Sequence, residues 1–263
     1  MNLVAGPWIG EFGWELMAWQ GVIRNQARNY ENTVIICQPG HEFLYADFAK
    51  QFIIYAPDGK KPNMWSNIGT HFNMPSELLG FMWIGPQNFF QPNAPQQRHR
   101  LFGPNRDPDK RNFICYHARN LSKYGSDYIN WPREKWEELL ADYKEEELVC
   151  IGNRVASMYI KGLDYRDVSL AETCGILGSS KFIIGPSSGP MHLASLCNTP
   201  QLVWSGYARS VPRYLTEWNP HNSPVKMIND GDQWSEGEPW QPEVTTIREA
   251  MEEWLDCLTP SVQ

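Results

Sequence analysis

One short segment of the chain combines backbone and side-chain groups that suit the binding of an anion. Residues 181–206 read KFIIGPSSGPMHLASLCNTPQLVWSG, which predicts a strand ending at Gly185, a tight turn, and a helix beginning at Pro190. N–H groups in the first turn of a helix have no intrahelical acceptor, and with the helix dipole they bind phosphate. We therefore expect a phosphate site at the start of this helix. Its predicted residues are Ser187, Ser188, Gly189, Met191 and His192, of which the last four would offer backbone N–H donors.

The same turn matches the G-x-S-x-G pattern of the α/β-hydrolases at residues 185–189. In those enzymes an acid and then a histidine follow the nucleophilic serine along the chain. Here the first aspartate after Ser187 is Asp230, and no histidine follows His221. Because this order of residues fails, the sequence argues against a hydrolase.

The loop between the first predicted strand and the first predicted helix, GPWIGEFGWE at residues 6–15, is the second candidate. Its glycines do not follow G-x-G-x-x-G, and no G-x-x-x-x-G-K-[ST] string occurs, so neither a dinucleotide fingerprint nor a P-loop is indicated. The loop offers the carboxylates of Glu11 and Glu15 at the carboxyl end of a strand. Either could accept a proton as a general base, or simply complement the positive end of the helix.

Three further polar residues follow predicted strands of the second half. Arg119 comes just after strand 113–117, where its guanidinium could bind phosphate oxygens in a bidentate manner or pair with Asp127. Asn153 and Arg154 follow the next strand in the same way. These positions at strand ends make all three candidates for ligand contacts.

Neither the acidic pairs nor the cysteines predict a metal site. Of the two D-x-D strings, 107–109 lies in a charged linker and 230–232 contains an Asp-Gly pair typical of turns. The six cysteines form no C-x-x-C pair and read as buried free thiols. With no basic leader ahead of Glu11, they favour a reducing, cytoplasmic setting.

Composition excludes several classes of protein. Of the 263 residues, 42% are hydrophobic and 20% charged, which is ordinary for a globular chain and unlike disordered, collagenous or coiled-coil proteins. No uncharged apolar run reaches the roughly 18 residues needed to span a bilayer. The 23 basic and 30 acidic residues give a net charge of −7, which argues against tight non-specific binding to a nucleic-acid backbone.

The candidate residues need a scaffold that sets strand ends side by side, and the order of elements predicts one. Short β-like runs alternate with helical patterns, which is typical of an α/β fold with parallel sheets flanked by helices. We predict two Rossmann-like domains, 1–105 and 106–263, with no periodicity from 57 to 112. Predicted strands are 3–5, 33–38, 52–55, 113–117, 148–152, 182–185, 201–204 and 225–228. Predicted helices are 12–28, 42–50, one opened by Trp131-Pro132, 169–179 with a Ser169–Glu172 capping box, 190–197, and one at the C-terminus with Ile247, Met251, Trp254 and Leu258 on its buried face.

Residues 169–206 (SLAETCGILGSSKFIIGPSSGPMHLASLCNTPQLVWSG) and 130–136 (NWPREKW) carry a family resemblance. They resemble the nucleotide-sugar-binding region of the bacterial ADP-heptose:lipopolysaccharide heptosyltransferases, glycosyltransferase family 9. That family has an S-L-A-E helix start, an N-D-S-G-P-x-H-L-A turn and a K-x-W-P-x-E-x-[WY] element. The resemblance implies a GT-B fold, an acceptor-side N-terminal domain, a donor-side C-terminal domain, and no bound metal or other cofactor.

The resemblance also implies roles for the candidate residues. The turn residues, with Asn153 and Arg154, would bind a nucleotide diphospho-sugar as co-substrate, and Arg119 would stabilise the departing diphosphate. Gly10-Glu11 resembles a family G-D pair, so Glu11 would be the base of an inverting transfer to a hydroxyl, with Glu15 the second choice.

The chain departs from the family pattern at two places. Pro186-Ser187 stands where the family has Asn-Asp, and Ile129-Asn130 stands where it has a lysine. Arg119, Lys123 and Arg154 are therefore the candidate cations. The Trp- and Pro-rich segments 57–112 and 206–240 would shape the acceptor site. The acceptor would be a glycan or, as in compact phage enzymes, a modified base in DNA; the alternative is a non-catalytic nucleotide-sugar- or glycan-binding protein.

Overall fold

The computed structural model describes residues 1–56, 72–85, 97–103, 112–121, 129–229 and 240–258. The chain forms two compact units, Met1–Arg100 and Leu101–Gln263. The domain boundary predicted between residues 105 and 106 lies outside the described residues. In the described part of the chain, no helix is both long and apolar enough to cross a membrane.

The first unit is built on a four-stranded parallel sheet. Its strands lie in the order β3-β2-β1-β4, so β2 and β3 lie on one side of β1 and β4 lies on the other. Helix α1 runs through a five-residue π-helical stretch, Glu15–Trp19, into α2, and together they connect β1 to β2. The element bounds are β1 Asn2–Ala5, α1 Phe12–Trp14, α2 Gln20–Ala27, β2 Asn32–Cys37, β3 Gln51–Ile54 and β4 Met82–Ile84.

Two predictions for the first unit were wrong. The predicted helix 42–50 is only a 3-10 turn, Glu42–Leu44, followed by turns. Contacts outside the segment explain this, because Arg24 Nη2 donates to the Leu44 carbonyl at 2.7 Å and the Tyr45 hydroxyl is held by a buried glutamate. Strand β4 lies within residues 57–112, where the sequence shows no periodicity. Its three residues are too few to show the alternation of apolar and polar side chains that marks a strand.

The second unit contains a six-stranded parallel sheet in the order β12-β11-β10-β5-β7-β9. Counted along the chain, its strands take the places 3-2-1-4-5-6, which is the strand order of dinucleotide-binding folds. The order reverses between β5 and β10, and ligands bind at the carboxyl ends of strands at such a switch point. The strands are β5 Ile114–Tyr116, β7 Leu148–Gly152, β9 Leu163–Arg166, β10 Ile183–Pro186, β11 Gln201–Trp204 and β12 Val225–Ile228, with β6 Ala118–Arg119 and β8 Ser157–Met158 forming a separate antiparallel pair.

Helices cover this sheet and bury a tryptophan cluster. The rings of Trp131, Trp136 and Trp204 lie with centroids 5.2–5.5 Å apart, and the C-terminal helix packs on the same core through Ile247 and Met251. Trp136 thus belongs to the core, while Trp254 and Leu258, predicted on the buried face of the C-terminal helix, are partly buried. The helices are α3 Arg133–Leu140, α4 Leu170–Ser179, α5 Gly189–Leu196, α6 Ser210–Pro212 continued by a π-helical stretch Arg213–Glu217, and α7 Val244–Leu258.

The predicted capping box at the start of α4 is confirmed, and it supports a stability prediction. Ser169 Oγ accepts the Glu172 N–H at 3.2 Å, and the Glu172 carboxylate accepts the Ser169 N–H at 3.0 Å. Ser169→Ala should lower the free energy of unfolding by about 1 kcal/mol, measured by urea titration. The matched control is Ser179→Ala at the other end of α4, where a change within about 0.5 kcal/mol is expected. Equal losses from the two variants would contradict the capping role.

Candidate functional site

The predicted phosphate turn lies at the switch point of the second sheet. Strand β10 ends at Pro186, and the Ser187 N–H donates to the Trp204 carbonyl at 2.9 Å before the chain enters α5. On the other side of the switch point, β5 ends next to His117, whose backbone N–H donates to the Ile184 carbonyl at 3.0 Å. The fold therefore sets the turn and His117 at adjacent strand ends.

Ser188 precedes α5 but does not cap it with its side chain. Its hydroxyl instead lies 2.9 Å from Nδ1 of the buried His117. Burial, helped by Arg119, lowers the pKa of His117 to about 3, so the ring is neutral near pH 7. Because the serine hydroxyl is turned away, the first turn of the helix keeps its N–H groups for another acceptor.

Two of the four predicted N–H donors are already used within the protein. The Ser188 N–H donates to the Tyr214 hydroxyl at 3.1 Å, and the His192 N–H donates to the Ser188 carbonyl at 3.1 Å. No described residue accepts from the N–H groups of Gly189 or Met191. These two groups, separated by a proline that has no N–H, are the backbone donors that the turn offers to a ligand.

His192 is enclosed by aromatic rings at the base of the turn. Its ring stacks on Tyr214 with centroids 4.4 Å apart and meets the edge of Trp218 at 4.7 Å. Burial, followed by the charge of Arg213, lowers the pKa of His192 to about 3. Nδ1 of this ring is buried without a hydrogen-bond partner among the described residues. Such an atom is rare in proteins and marks a group able to bind a ligand.

Tyr214 and Arg213 are site residues that the sequence reasoning missed. The Tyr214 hydroxyl bonds the Ser187 side chain and the Ser188 N–H, so it holds the turn in place. The Arg213 guanidinium lies 4.7 Å from the ring of Trp218, close enough for its charge to act on His192. Both lie in the loop after β11, which reaches the turn because the ends of β10 and β11 are neighbours.

Two of the three predicted cations, Arg119 and Arg154, lie among the described residues. Arg119 is buried and hydrogen-bonds the Asn130 side chain. Arg154 is 59% exposed, with its guanidinium 3.7 Å from Asp164 and 3.8 Å from Asp167. Lys123 lies outside the described residues, as do Asp127 and both D-x-D strings at 107–109 and 230–232.

Asn153 accepts hydrogen bonds from residues that follow it in the same turn. Its side-chain oxygen accepts the Val155 N–H, and its carbonyl accepts the Ser157 hydroxyl, both at 2.7 Å. The side chain of Met191 is fully buried, so this residue can offer a ligand only its N–H group. The predicted contacts of Asn153 and Arg154 with a donor stay predictions.

The first unit contains a buried polar cluster at the carboxyl edge of its sheet. Glu15 is 0% exposed; one carboxylate oxygen accepts the Tyr45 hydroxyl at 2.7 Å and the other lies 2.7 Å from Nδ1 of His41. Burial and Glu15 raise the pKa of Tyr45 well above its usual value. Burial alone would lower the pKa of His41, but the charge and hydrogen bond of Glu15 raise it.

Glu11, the predicted base, stands at the entrance to α1. Its backbone has φ −62° and ψ 141°, and its side chain does not cap the helix. Trp8 beside it is fully buried and stacks on Trp19 at 5.5 Å, so Trp8 belongs to the core and cannot form a platform for a ligand. Trp14 is half-buried. The role of Glu11 stays a prediction.

Comparisons with known proteins show which solved structures share the fold of this chain. No family model matches the chain, and no curated protein matches it. The glycosyl transferase family 9 structure from Veillonella parvula DSM 2008 is 12% identical, with 96% of each chain covered and a TM-score of 0.56. E. coli ADP-heptose LPS heptosyltransferase II is 14% identical, with 98% of each chain covered and a TM-score of 0.58. E. coli heptosyltransferase WaaC with ADP is 11% identical over 96% of this chain and 99% of its own, with a TM-score of 0.56. The chain therefore has the two-unit α/β fold of the family 9 heptosyltransferases.

Proposed function

We propose that the chain is a glycosyltransferase that moves a sugar from a nucleotide diphospho-sugar to a hydroxyl acceptor. The observation that carries this proposal is the turn at the switch point of the second unit. There the N–H groups of Gly189 and Met191 and the unpartnered Nδ1 of His192 offer hydrogen bonds to a ligand. Helix N-termini at such positions bind phosphate groups, and one fold neighbour, E. coli heptosyltransferase WaaC, was solved with ADP and with ADP-2-deoxy-2-fluoro heptose.

Each group of the turn has a place in the proposed reaction. When the bond between the sugar and the diphosphate breaks, negative charge develops on the leaving phosphate. The N–H groups of Gly189 and Met191 stabilise that charge, and Arg213 supplies a positive charge in a chain that lacks the family lysine. The nucleotide sugar is a co-substrate, and the proposal invokes no metal or other cofactor.

The first unit supplies the acceptor side in this proposal. The acceptor oxygen attacks the anomeric carbon from the face opposite the diphosphate, so the configuration inverts, and a base takes the hydroxyl proton. The net charge of −7 favours a glycan over DNA as acceptor, because tight DNA binding needs many cations on the phosphates. Pro186 and Ser187, in place of the family Asn-Asp, support the competing function of a non-catalytic nucleotide-sugar-binding protein.

Binding and turnover assays with the whole chain test the proposal. Calorimetry with a panel of nucleoside diphosphates should find one that binds. Arg213→Gln should weaken that binding about 10- to 100-fold, the loss of one charge-assisted contact of roughly 1.5–3 kcal/mol. Arg248→Gln is the matched control, since Arg248 lies on α7 and donates to the Glu138 carbonyl of α3, and it should bind as the wild type does.

Release of the diphosphate from nucleotide sugars, with glycans or hydroxymethylated DNA as acceptors, separates transfer from binding alone. Binding without acceptor-dependent release would support the non-catalytic alternative. If no nucleoside diphosphate binds, both functions are excluded.

A further inference from the structure

Two loops of the first unit are held together at the carboxyl edge of its sheet. Strands β1 and β2 are parallel neighbours with Ala5 opposite Ile35, so the segments that follow them start side by side. The Gln38 side chain, just after β2, donates to the Trp8 carbonyl in the loop after β1 at 3.3 Å. This juxtaposition brings Glu15 and His41, 26 positions apart in sequence, into contact.

The contacts of Glu15 define which nitrogen of His41 is available. A carboxylate only accepts hydrogen bonds, and it accepts one from the Tyr45 hydroxyl and one from Nδ1 of His41. Nδ1 of His41 therefore carries a proton, and in the neutral ring Nε2 holds the lone pair. The rings of His41 and Phe12 make a T-shaped contact with centroids 5.5 Å apart, and this contact fixes the orientation of the imidazole.

Glu15 and His41 differ in the exposed fraction of their side chains. Glu15 is 0% exposed, whereas the side chain of His41 is 20% exposed. A group that takes a proton from a substrate must be reached by that substrate, and Glu15 is closed off by its own partners. The same arrangement, a buried carboxylate orienting a more accessible imidazole, recurs in enzymes that use histidine as a base.

We infer that His41 is the general base of the proposed sugar transfer and that Glu15 orients it, an inference that rests on the proposed function. Nε2 of His41 accepts the proton of the acceptor hydroxyl as the oxygen forms its bond to the anomeric carbon. The bond from that carbon to the diphosphate oxygen breaks, and the nucleoside diphosphate leaves with the electron pair. The Glu15 carboxylate stabilises the imidazolium that results.

The groups around His41 fit this role. The carboxylates of Glu15 and Glu42 face the ring, and both raise its pKa against the effect of burial. Tyr45 stays protonated, and so does the Cys37 thiol, whose pKa is raised to about 12 by burial and by Glu42 and Glu15. Histidine is thus the group of this cluster that changes charge near neutral pH. We expect the transfer rate to rise with pH through a pKa above 6.5, the ordinary value for histidine.

Rates of diphosphate release against pH test the inference, with nucleoside diphosphate binding measured on the same variants. His41→Gln should lower kcat about 10²- to 10⁴-fold and remove the acid limb of the pH profile. It should leave diphosphate binding unchanged, because the binding turn lies in the second unit. Glu15→Gln should lower kcat at least about tenfold and move the acid limb to lower pH, since loss of the carboxylate lowers the pKa of His41.

Glu11→Gln is the decisive comparison, because Glu11 is the base predicted from the sequence. Its pH profile should keep the acid limb that His41→Gln removes. NMR titration of the His41 ring shows that Glu15→Gln is folded and reports the shift in pKa directly. A His41→Gln variant with the wild-type rate, or Glu11→Gln as the variant that loses the acid limb, would overturn the inference. A wild-type chain that binds no nucleoside diphosphate would instead overturn the proposed function.

Discussion

Gly6→Ala should cost the first unit about 3 kcal/mol or more of folding free energy, whereas Gly40→Ala should cost about 1 kcal/mol. Gly6 has φ +109°, and a Cβ there would lie 2.1 Å from the carbonyl oxygen of Ile36. Gly40 has φ +82°, but a Cβ there would meet no atom within 4 Å. Both variants carry the strain of a positive φ, and only Gly6→Ala adds a clash with the backbone of β2.

Hydrogen exchange in peptides from β1 and β2 measures this difference in the first unit. The expected pattern is a large loss of protection for Gly6→Ala and a small one for Gly40→Ala. Equal losses would mean that the tight approach of Gly6 to β2 does not contribute to stability. Because that approach sets the two loops side by side, Gly6→Ala should also disturb the contact between Glu15 and His41.

Strands bounded by turn residues could be predicted from the sequence almost to the residue. The predicted strands 201–204 and 225–228 agree with β11 and β12 at both ends, because short β-like runs with Pro, Gly, Ser or Asn on both sides are strong local signals. The segment 42–50 failed for the opposite reason. Its helical pattern was overridden by contacts from α2 and the π-helical stretch, which no local pattern encodes.

The turn between β10 and α5 was also visible in the sequence, whereas its surroundings were not. Its glycines, serines and Pro190 lie in one short run, so strand, turn and helix start are all local features. The partners of Ser188 come from elsewhere: His117 is 71 positions away and Tyr214 is 26. Only the strand order, which sets β5 and β11 on either side of β10, brings these residues to the turn.

The same reason explains why two of the four predicted N–H donors proved to be occupied. The local pattern counts the free N–H groups at a helix start, but the Ser188 N–H is taken by a tyrosine from the loop after β11. Likewise, His41 follows a Gln38-Pro39-Gly40 turn whose positive φ at Gly40 is typical of a Pro-Gly turn. That turn was readable, but its meeting with Glu15 depends on strand pairing.

The second unit should lose stability as the pH falls below the ordinary pKa of histidine. His117 and His192 are buried, and burial lowers both pKa values from 6.5 to about 3, with smaller contributions from Arg119 and Arg213. Between these values the unfolded chain binds protons that the folded unit does not, so stability decreases as the pH falls and is retained above pH 6.5. Each ring contributes a slope of up to about 1.4 kcal/mol per pH unit.

Hydrogen exchange in peptides from β10 and β11 between pH 6 and 4.5 measures this slope, after correction for the intrinsic exchange rate. This pH window lies above the usual pKa of carboxyl groups. Asp164, whose pKa is lowered to about 2 by Arg166, reduces stability only at lower pH.

His117→Asn should remove about half of the slope, because one of the two neutral rings is gone. His41 in the first unit contributes with the opposite sign, since its raised pKa stabilises the fold at low pH, a contribution lost as the pH rises through that pKa. A second unit whose stability does not change over this window would contradict the burial of His117 and His192 as neutral rings. It would also contradict a site in which Arg213, and neither histidine, carries positive charge.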